Sequence, residues 1–341
     1  LCRFRELESL AGGARWLEGI ASTEAISHTL SDLADGCLEA SLQMAANELA
    51  ESESLDGPPT GLAVLAMGKL GIREMNFFSD LDLIFIQGDA PAGVKDAASF
   101  FARWAQRIVT LISGVSPAGF VFKIDARLRP EGRNAPLVAP LSRYLDYYQN
   151  RAQPWEFQSI IRCRHSAGDA ALSEQLRSGI LPSAIALGKQ DHLATEVRNM
   201  RRRLEESVRL PSWARTDFKR SRGGVIDLEF LIQYLQLKGL GENSALFTSD
   251  FENALAGIVS SQLITSEQKE RIESNYRYLR QLEMRARLLF STGSSFLPDK
   301  KERLAPLEFF MRNDLPNGAT LLQHTASIMN ENHALFEEIV R

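Results

Sequence analysis

Ser79-Asp80-Leu81-Asp82 stands at the head of the apolar run Leu83-Ile84-Phe85-Ile86 and behind Gly68-Lys69-Leu70-Gly71, and its reading decides the fold. A strand reverses its side-chain face at each residue, so Asp80 and Asp82 are expected to point the same way. Two carboxylates that close repel by roughly 4 kcal/mol at about 4 Å and an effective dielectric near 20. A fold keeps such a pair when a cation lies between them or one is protonated. Oxygen-only ligands suit Mg²⁺, which takes one or two carboxylates together with substrate phosphates. A solvated turn ahead of a strand is the plainer alternative for so short a segment.

A third carboxylate adds weight. Phe120-Val121-Phe122-Lys123-Ile124-Asp125-Ala126-Arg127-Leu128-Arg129-Pro130 alternates as a strand does, which predicts Asp125, Arg127 and Arg129 on one face. An acid followed by two guanidiniums can hold a metal and clamp phosphate oxygens, because arginine forks match phosphate geometry. Taken alone, the stretch reads better as a salt-bridged strand edge.

The chain has 341 residues, enough for two or three domains with a substantial core. It starts at Leu1 without an initiator methionine, as expected of a piece of a longer protein, so a missing signal peptide carries little weight. No apolar run approaches the roughly eighteen residues of a membrane span, so no membrane association is expected. Cys2, Cys37 and Cys163 form no CxxC pair and fit a reduced, cytoplasmic protein. The five histidines lack metal-ligand spacing, which argues against zinc. A formal net charge of -4 argues against bulk nucleic-acid binding.

Ile26, Leu30, Leu33, Cys37, Leu42, Ala45 and Leu49 recur at helical spacing. The polar stretch from Glu51 to Thr60, with two prolines, reads as a linker. A strand follows at Leu62 to Met67, and Phe101, Trp104, Ile108 and Leu111 mark a helix after the aspartate strand. Alternating strands and helices describe an α/β region of about 110 residues. From Leu141 onward strand signals nearly vanish. Thr265 and Gln268 form a capping pair for a helix to Phe290, with Gly293 as its stop, and Leu321 to Ile339 suggests a terminal helix. The expected fold class is α+β, a mixed sheet with helices followed by an all-α helical bundle. The expected domains are an N-terminal helical segment at 1–54, a catalytic domain at 55–168 and the bundle at 169–341.

The order of strand, Gly68-Lys69-Leu70-Gly71, Ser79-Asp80-Leu81-Asp82, helix and Asp125 resembles the nucleotidyltransferase superfamily typified by DNA polymerase β. More closely, the chain resembles the glutamine synthetase adenylyltransferase family, bifunctional adenylyltransferase/deadenylylase enzymes. Runs similar to that family are Ala66-Met-Gly-Lys-Leu-Gly71, Asn76-Phe-Phe-Ser-Asp-Leu-Asp-Leu-Ile-Phe85, Asp125-Ala-Arg-Leu-Arg-Pro-Glu-Gly132, Trp155-Glu156 with Arg164, and Gly223-Gly-Val-Ile-Asp-Leu-Glu-Phe230. They cover about residues 25 to 341. One departure is Gly71-Ile72, where the family has a glycine pair. Such enzymes carry two homologous halves, and one copy of each motif here implies one half. Asp125-Ala-Arg-Leu-Arg-Pro and Ile226-Asp-Leu-Glu-Phe are similar to the C-terminal, adenylylating half. Arg73-Glu-Met-Asn-Phe77 and Asp146-Tyr-Tyr-Gln149 are similar to the N-terminal, deadenylylating half. The reading favours the adenylylating half.

The resemblance implies transfer of AMP from ATP to a tyrosine of glutamine synthetase, with Mg²⁺ held by Asp80, Asp82 and Asp125. Asp125 would also favour deprotonation of the acceptor. Gly68 and Gly71 would let the backbone approach phosphate beside Ser79, and Lys69, Arg127 and Arg129 would neutralise developing charge. Lys219 is a phosphate contact by the same resemblance. Implied partners are glutamine synthetase, a PII-type signal protein and the other half of the parent chain. Asp227 and Glu229 open an apolar helix and read equally as dipole stabilisers or as contacts to nucleotide or to the other domain. Arg201-Arg202-Arg203 with Glu205 and Glu206 reads as a salt-bridged helix face. Trp155-Glu156 reads as a packing and hydrogen-bonding pair. Three alternatives stay open: phosphorolytic deadenylylation releasing ADP, uridylylation of a PII-type protein, and a non-catalytic nucleotide-sensing regulatory module.

Overall fold

Leu62–Ala66 is a run of five apolar residues, and as strand β1 every one of them is buried. That burial follows from its place inside a sheet, where it pairs antiparallel with β2 (Leu81–Gln87) on one side and β5 (Arg164–Gly168) on the other. Two short strands run parallel to β2 along its free edge: β3 (Ile124–Asp125) and β4 (Val138–Pro140). The sheet order is β3-β2-β1-β5 with β4 also on β2, a mixed sheet as expected. The computed structural model describes residues 1–290 and 295–341. It divides into two compact units, Leu1–Ser183 with Thr248–Asp250 and Ala184–Phe247 with Phe251–Arg341.

In the first unit α1 (Cys2–Leu17) and α2 (Thr23–Glu53) precede the sheet. Ser22 caps α2 by accepting from Ala25 N at 3.1 Å, and Ser54 ends it in the left-handed region at φ 54°. The stripe from Ile26 to Leu49 is buried throughout. Helix α3 (Gly68–Gly71) is a single turn. On α4 (Ala97–Ser113), Phe101, Trp104 and Ile108 are buried, each stabilising the unit by about 1.5–3 kcal/mol relative to exposure. The Trp104 indole donates to the Leu42 carbonyl at 3.1 Å, fixing α4 on α2. α5 (Leu141–Asn150), α6 (Pro154–Ile160) and α7 (Ala170–Gly188) complete the run, and the division between the units falls inside α7.

Two expectations need correction. The strand predicted from Phe120 to Arg129 contracts to the two residues of β3. Val121 and Phe122 instead donate their N–H groups to the Ile112 carbonyl near the end of α4, at 3.0 and 3.1 Å. After Asp125 the chain turns, so Asp125, Arg127 and Arg129 do not share a strand face. Strands also occur beyond Leu141. β5 completes the sheet, with a bulge opposite Val64 and Leu65, and β6 (Ala214–Asp217) pairs with β7 (Phe296–Pro298) in the second unit.

The second unit is otherwise helical: α8 (Leu193–Glu206), α9 (Val225–Gly239), α10 (Phe251–Ser260), α11 (Ser266–Phe290), α12 (Lys301–Met311) and α13 (Leu321–Ile339). Thr265 and Gln268 cap α11 reciprocally, at 2.9 and 3.1 Å. The proposed stop at Gly293 lies outside the described residues. Among the described residues no helix is long and apolar enough to cross a membrane.

Gly71 shows how tightly the sheet closes on α3. A Cβ there would come within 2.2 Å of the Arg162 carbonyl oxygen and 2.9 Å of the Ala66 carbonyl oxygen. Backbone cannot rotate aside as a side chain does. Gly71→Ala is expected to cost about 1–3 kcal/mol as an overpacking substitution. A thermal melt within experimental error of the wild type would contradict that.

Candidate active site

The connection from β1 to β2 brings two sequence motifs side by side. Ala66 faces Leu83 across the antiparallel pair, and Met67 N donates to the Asp82 carbonyl at 2.8 Å. Gly68 then turns with φ +52°, and a Cβ on it would come within 2.2 Å of Asp82 Oδ2. The Asp82 carboxylate fills the space a side chain at 68 would need. This is a place where glycine's freedom at positive φ is required.

On the other edge of β2, Leu81 N donates to the Lys123 carbonyl at 2.8 Å, and β3 sets Asp125 opposite Asp82 in parallel register. In-register residues of neighbouring strands project to the same face. Asp80, exposed just ahead of β2, shares the alternation phase of Asp82. Thus a hairpin and one parallel bridge gather three acidic positions from segments more than forty residues apart in sequence.

Arg127 supplies the counter-charge. The turn after β3 lets its backbone N–H donate to Asp125 Oδ1 at 2.9 Å, while its Nε reaches the two carboxylate oxygens at 2.8 and 2.7 Å. Its Nη2 is ion-paired to the same group. The hydrogen bond to Asp125 holds the exposed guanidinium above its usual range, and the charges of Asp125, Asp82 and Asp80 add to it. All three acids therefore act on one arginine. Among the described residues no three carboxylate, imidazole or thiol groups close on a common point. The convergence expected of Asp80, Asp82 and Asp125 is therefore not found among the described residues, where the Asp125 carboxylate is turned to Arg127.

The other predicted positions take local roles as well. Ser79 closes the turn ahead of β2, its hydroxyl accepting from Asn76 N at 3.2 Å. Lys69 is half-buried in α3. Arg129 is folded back on its own loop, donating to the Ala135 carbonyl from Nη2 at 2.8 Å and to the Ala126 carbonyl from Nη1. Lys219 belongs to the second unit, where its N–H donates to Asp217 Oδ1 at 3.0 Å. The space at Gly223 is taken by a backbone neighbour: a Cβ there would lie 1.7 Å from the Met329 carbonyl oxygen.

Two supporting residues escaped the sequence reading. Asp35 and Glu39 sit one turn apart on α2, where Asp35 pairs with Arg164 at 2.7 Å and Glu39 accepts from Gly168 N at 2.9 Å. Arg164 also donates from Nε to the Leu70 carbonyl at 3.1 Å, so it ties α3 to α2 and β5. Burial pushes the Asp35 carboxyl up, against the opposing pull of Arg164. Acids at 35 and 39, beside buried Leu38, were the available signal. Glu156 is buried and accepts from Tyr147 Oη at 2.7 Å and Gln153 N at 2.9 Å. Trp155, expected to pack with it, is 39% exposed, because it faces outward from the first turn of α6.

A glycine-lined hairpin with acids on neighbouring strands of a mixed sheet is the fold plan of a nucleotidyltransferase. A family model described as glutamate-ammonia ligase adenylyltransferase matches residues 1–178, more than half of the chain, and the chain belongs to that family. A second model, described as GlnD PII-uridylyltransferase, matches residues 192–340. The chain is 34% identical over 280 residues to the bifunctional glutamine synthetase adenylyltransferase/adenylyl-removing enzyme of Mycobacterium tuberculosis, covering 82% of this chain and 26% of that protein. Proteins of the same description from Streptomyces avermitilis and Mycolicibacterium smegmatis are 32% and 34% identical, over 85% and 81% of this chain and 29% and 27% of theirs. The chain spans about a quarter of the length of these curated relatives.

Proposed function

We propose that this chain transfers AMP from ATP to a tyrosine hydroxyl of glutamine synthetase, acting in the cytoplasm as the adenylylating half of a longer enzyme. The observation that carries the proposal is the register of Asp82 against Asp125, with Asp80 in phase and Arg127 bound to Asp125. Residues 55–168 form the catalytic domain in this reading, and 169–341 the helical bundle that follows it. A PII-type signal protein and the other half of the parent chain are the expected further partners.

The donor set fits a hard divalent cation: carboxylate oxygens only, with the missing Gly68 side chain leaving room for Asp82. Asp80, Asp82 and Asp125 would hold Mg²⁺, which when bound supplies charge neutralisation for the triphosphate. Arg127 has two tasks. Without nucleotide it balances Asp125; with nucleotide its fork moves to phosphate oxygens and leaves Asp125 to accept the proton of the attacking hydroxyl. Lys69 adds a further positive charge beside the turn at Gly68.

Arg127→Ala is expected to reduce turnover by about a hundredfold, the size seen on removing one preorganised charge-stabilising donor. Because the side chain is exposed, the thermal midpoint should change little. Steady-state kinetics beside a melt checks both, and turnover within threefold of the wild type would remove Arg127 from the reaction.

The reverse reading, phosphorolysis of the adenylylated tyrosine, needs extra positive charge for orthophosphate. Arg73 is the residue able to supply it, and it stands in an exposed ion pair with Asp32 at 2.6 Å. The decisive experiment incubates the chain with Mg²⁺-ATP and unmodified glutamine synthetase and looks for AMP on a tyrosine by mass spectrometry. Release of ADP from modified glutamine synthetase and phosphate would reverse the direction. Turnover with UTP and a PII-type protein alone would move the substrate, and no turnover with either would favour a sensing module.

A further inference from the structure

The second unit contains a cleft of about 630 Å³ whose walls come from α8, the turn before α9 and α13. Its volume lies within the range of small-molecule sites. Arg198, Arg201 and Arg202 line it from α8, and Arg222 from the turn. Arg198 and Arg202 are one helical turn apart, so they share a face. Among the described residues, Arg198, Arg202 and Arg222 form no ion pair; Arg202 only donates to Asn199 Oδ1 at 3.2 Å.

Arg201 is the buried member, 3% exposed. Its Nε donates to Asp227 Oδ1 at 2.5 Å and its Nη2 to the carbonyls of Arg220 and Ser221 at 3.0 and 2.9 Å. Among the described residues its Nη1 is buried without a partner. A guanidinium cannot shed its proton to escape that cost, so the orphan nitrogen calls for an acceptor from outside the chain. Asp227, which pairs with Arg201, and Glu337 line the cleft as well, so the guanidiniums at 198, 202 and 222 are the ones left to meet an acceptor with more than one negative charge. Arginine forks match phosphate in this way.

Glu205 and Glu206 line the same cleft and lie one turn beyond Arg201 and Arg202. Arg198 and Glu205 are separated by about 10 Å along the axis at 1.5 Å per residue. The wall is therefore basic at one end and acidic at the other. The acidic end repels a second anionic group and accepts from hydroxyls. Phosphate alone would fill a small part of the volume.

We propose that this cleft binds a phosphate monoester bearing hydroxyl groups, with the phosphate at Arg198, Arg201 and Arg222 and the hydroxyls at Glu205 and Glu206. This does not depend on the transfer reaction and concerns a place separate from Asp80, Asp82 and Asp125 in the chain. Ribose 5-phosphate and inorganic phosphate are the probes, titrated into the full chain by calorimetry with a chelator present. Without a divalent cation the three aspartates of the first unit repel phosphate. Ribose 5-phosphate should bind one per chain and more tightly than inorganic phosphate. Arg198→Gln with Arg222→Gln should weaken both by at least about tenfold, and neither side chain is in the core. Glu205→Gln with Glu206→Gln should weaken ribose 5-phosphate and spare inorganic phosphate. Arg127→Ala should leave both unchanged. No saturable binding, an arginine variant that binds normally, loss of binding in Arg127→Ala, or succinate binding as tightly as ribose 5-phosphate would each overturn the assignment.

Discussion

Asp82→Asn should abolish AMP transfer and leave the thermal midpoint unchanged or raised. Asparagine has the shape of aspartate, so it fits the space over Gly68 that a Cβ would close to 2.2 Å. The backbone bond from Met67 N to the Asp82 carbonyl does not involve the side chain. What changes is charge. The acids at 80, 82 and 125 lose two of their three mutual repulsions, which relieves the metal-free fold. The same change removes an oxygen anion that the reading assigns to Mg²⁺. Losing about 4 kcal/mol of transition-state stabilisation, within the several kcal/mol such an ion supplies, lowers the rate by about a thousandfold. A second readout separates ligation from general damage. Mg²⁺ with ATP should raise the midpoint of the wild type, as any ligand of the folded state does, and should fail to raise that of the variant. An Asp82→Asn protein that keeps a tenth of its turnover, or that melts well below the wild type, would sink the assignment.

The legible parts of this chain are those where local pattern and tertiary environment agree. The apolar run at β1, the stripe on α2 and the capping pair of α11 each stand in the sequence as they stand in the fold. The aspartates could be paired in advance because strand alternation is a local rule. Arg127 could not be placed by that rule. Phe120, Phe122 and Ile124 mimic a strand, yet the N–H groups at 121 and 122 are spent on the Ile112 carbonyl, and the arginine reaches Asp125 through a turn. β5 was illegible for the opposite reason. Arg-His-Ser-Ala-Gly has no alternation of its own, and it is a strand only because β1 offers an unpaired edge.

The arginine run on α8 was misread in an instructive way. Leu193, Ala194 and Val197 are buried, and Arg201 continues that stripe at helical spacing while Arg202 and Arg203 face outward. A charge on a buried stripe must have a partner, and helix neighbours are too exposed to serve. The partner is Asp227 in the first turn of α9, 2.5 Å from the guanidinium and 1% exposed. Asp227 Oδ2 also accepts from Gly223 N at 2.9 Å and lies 3.3 Å from His333 Nδ1. This acid, open at first between stabilising the helix dipole and touching nucleotide, is thus a structural keystone of the second unit.

Breaking that pair should give the largest loss of stability of any single substitution considered for this chain. Asp227→Asn keeps an acceptor for Gly223 but leaves the Arg201 charge buried without its counter-ion. Removing one partner of a buried pair costs about 3–5 kcal/mol, and a unit of this size loses about 2–4 °C per kcal/mol, so the midpoint should fall by roughly 10 °C. Arg201→Met should cost less, because the stranded Asp227 can still be served by Gly223 and His333 or take a proton, whereas a stranded guanidinium has no such escape. The double variant, Arg201→Met with Asp227→Asn, should melt above Asp227→Asn alone. It should stay below the wild type, since the carbonyls of Arg220 and Ser221 lose the donor they share. Denaturant unfolding of the four proteins measures the cycle. Additive effects, or an Asp227→Asn protein within 1 kcal/mol of the wild type by the scale used for exposed pairs, would mean that the contact is geometric proximity without energetic consequence.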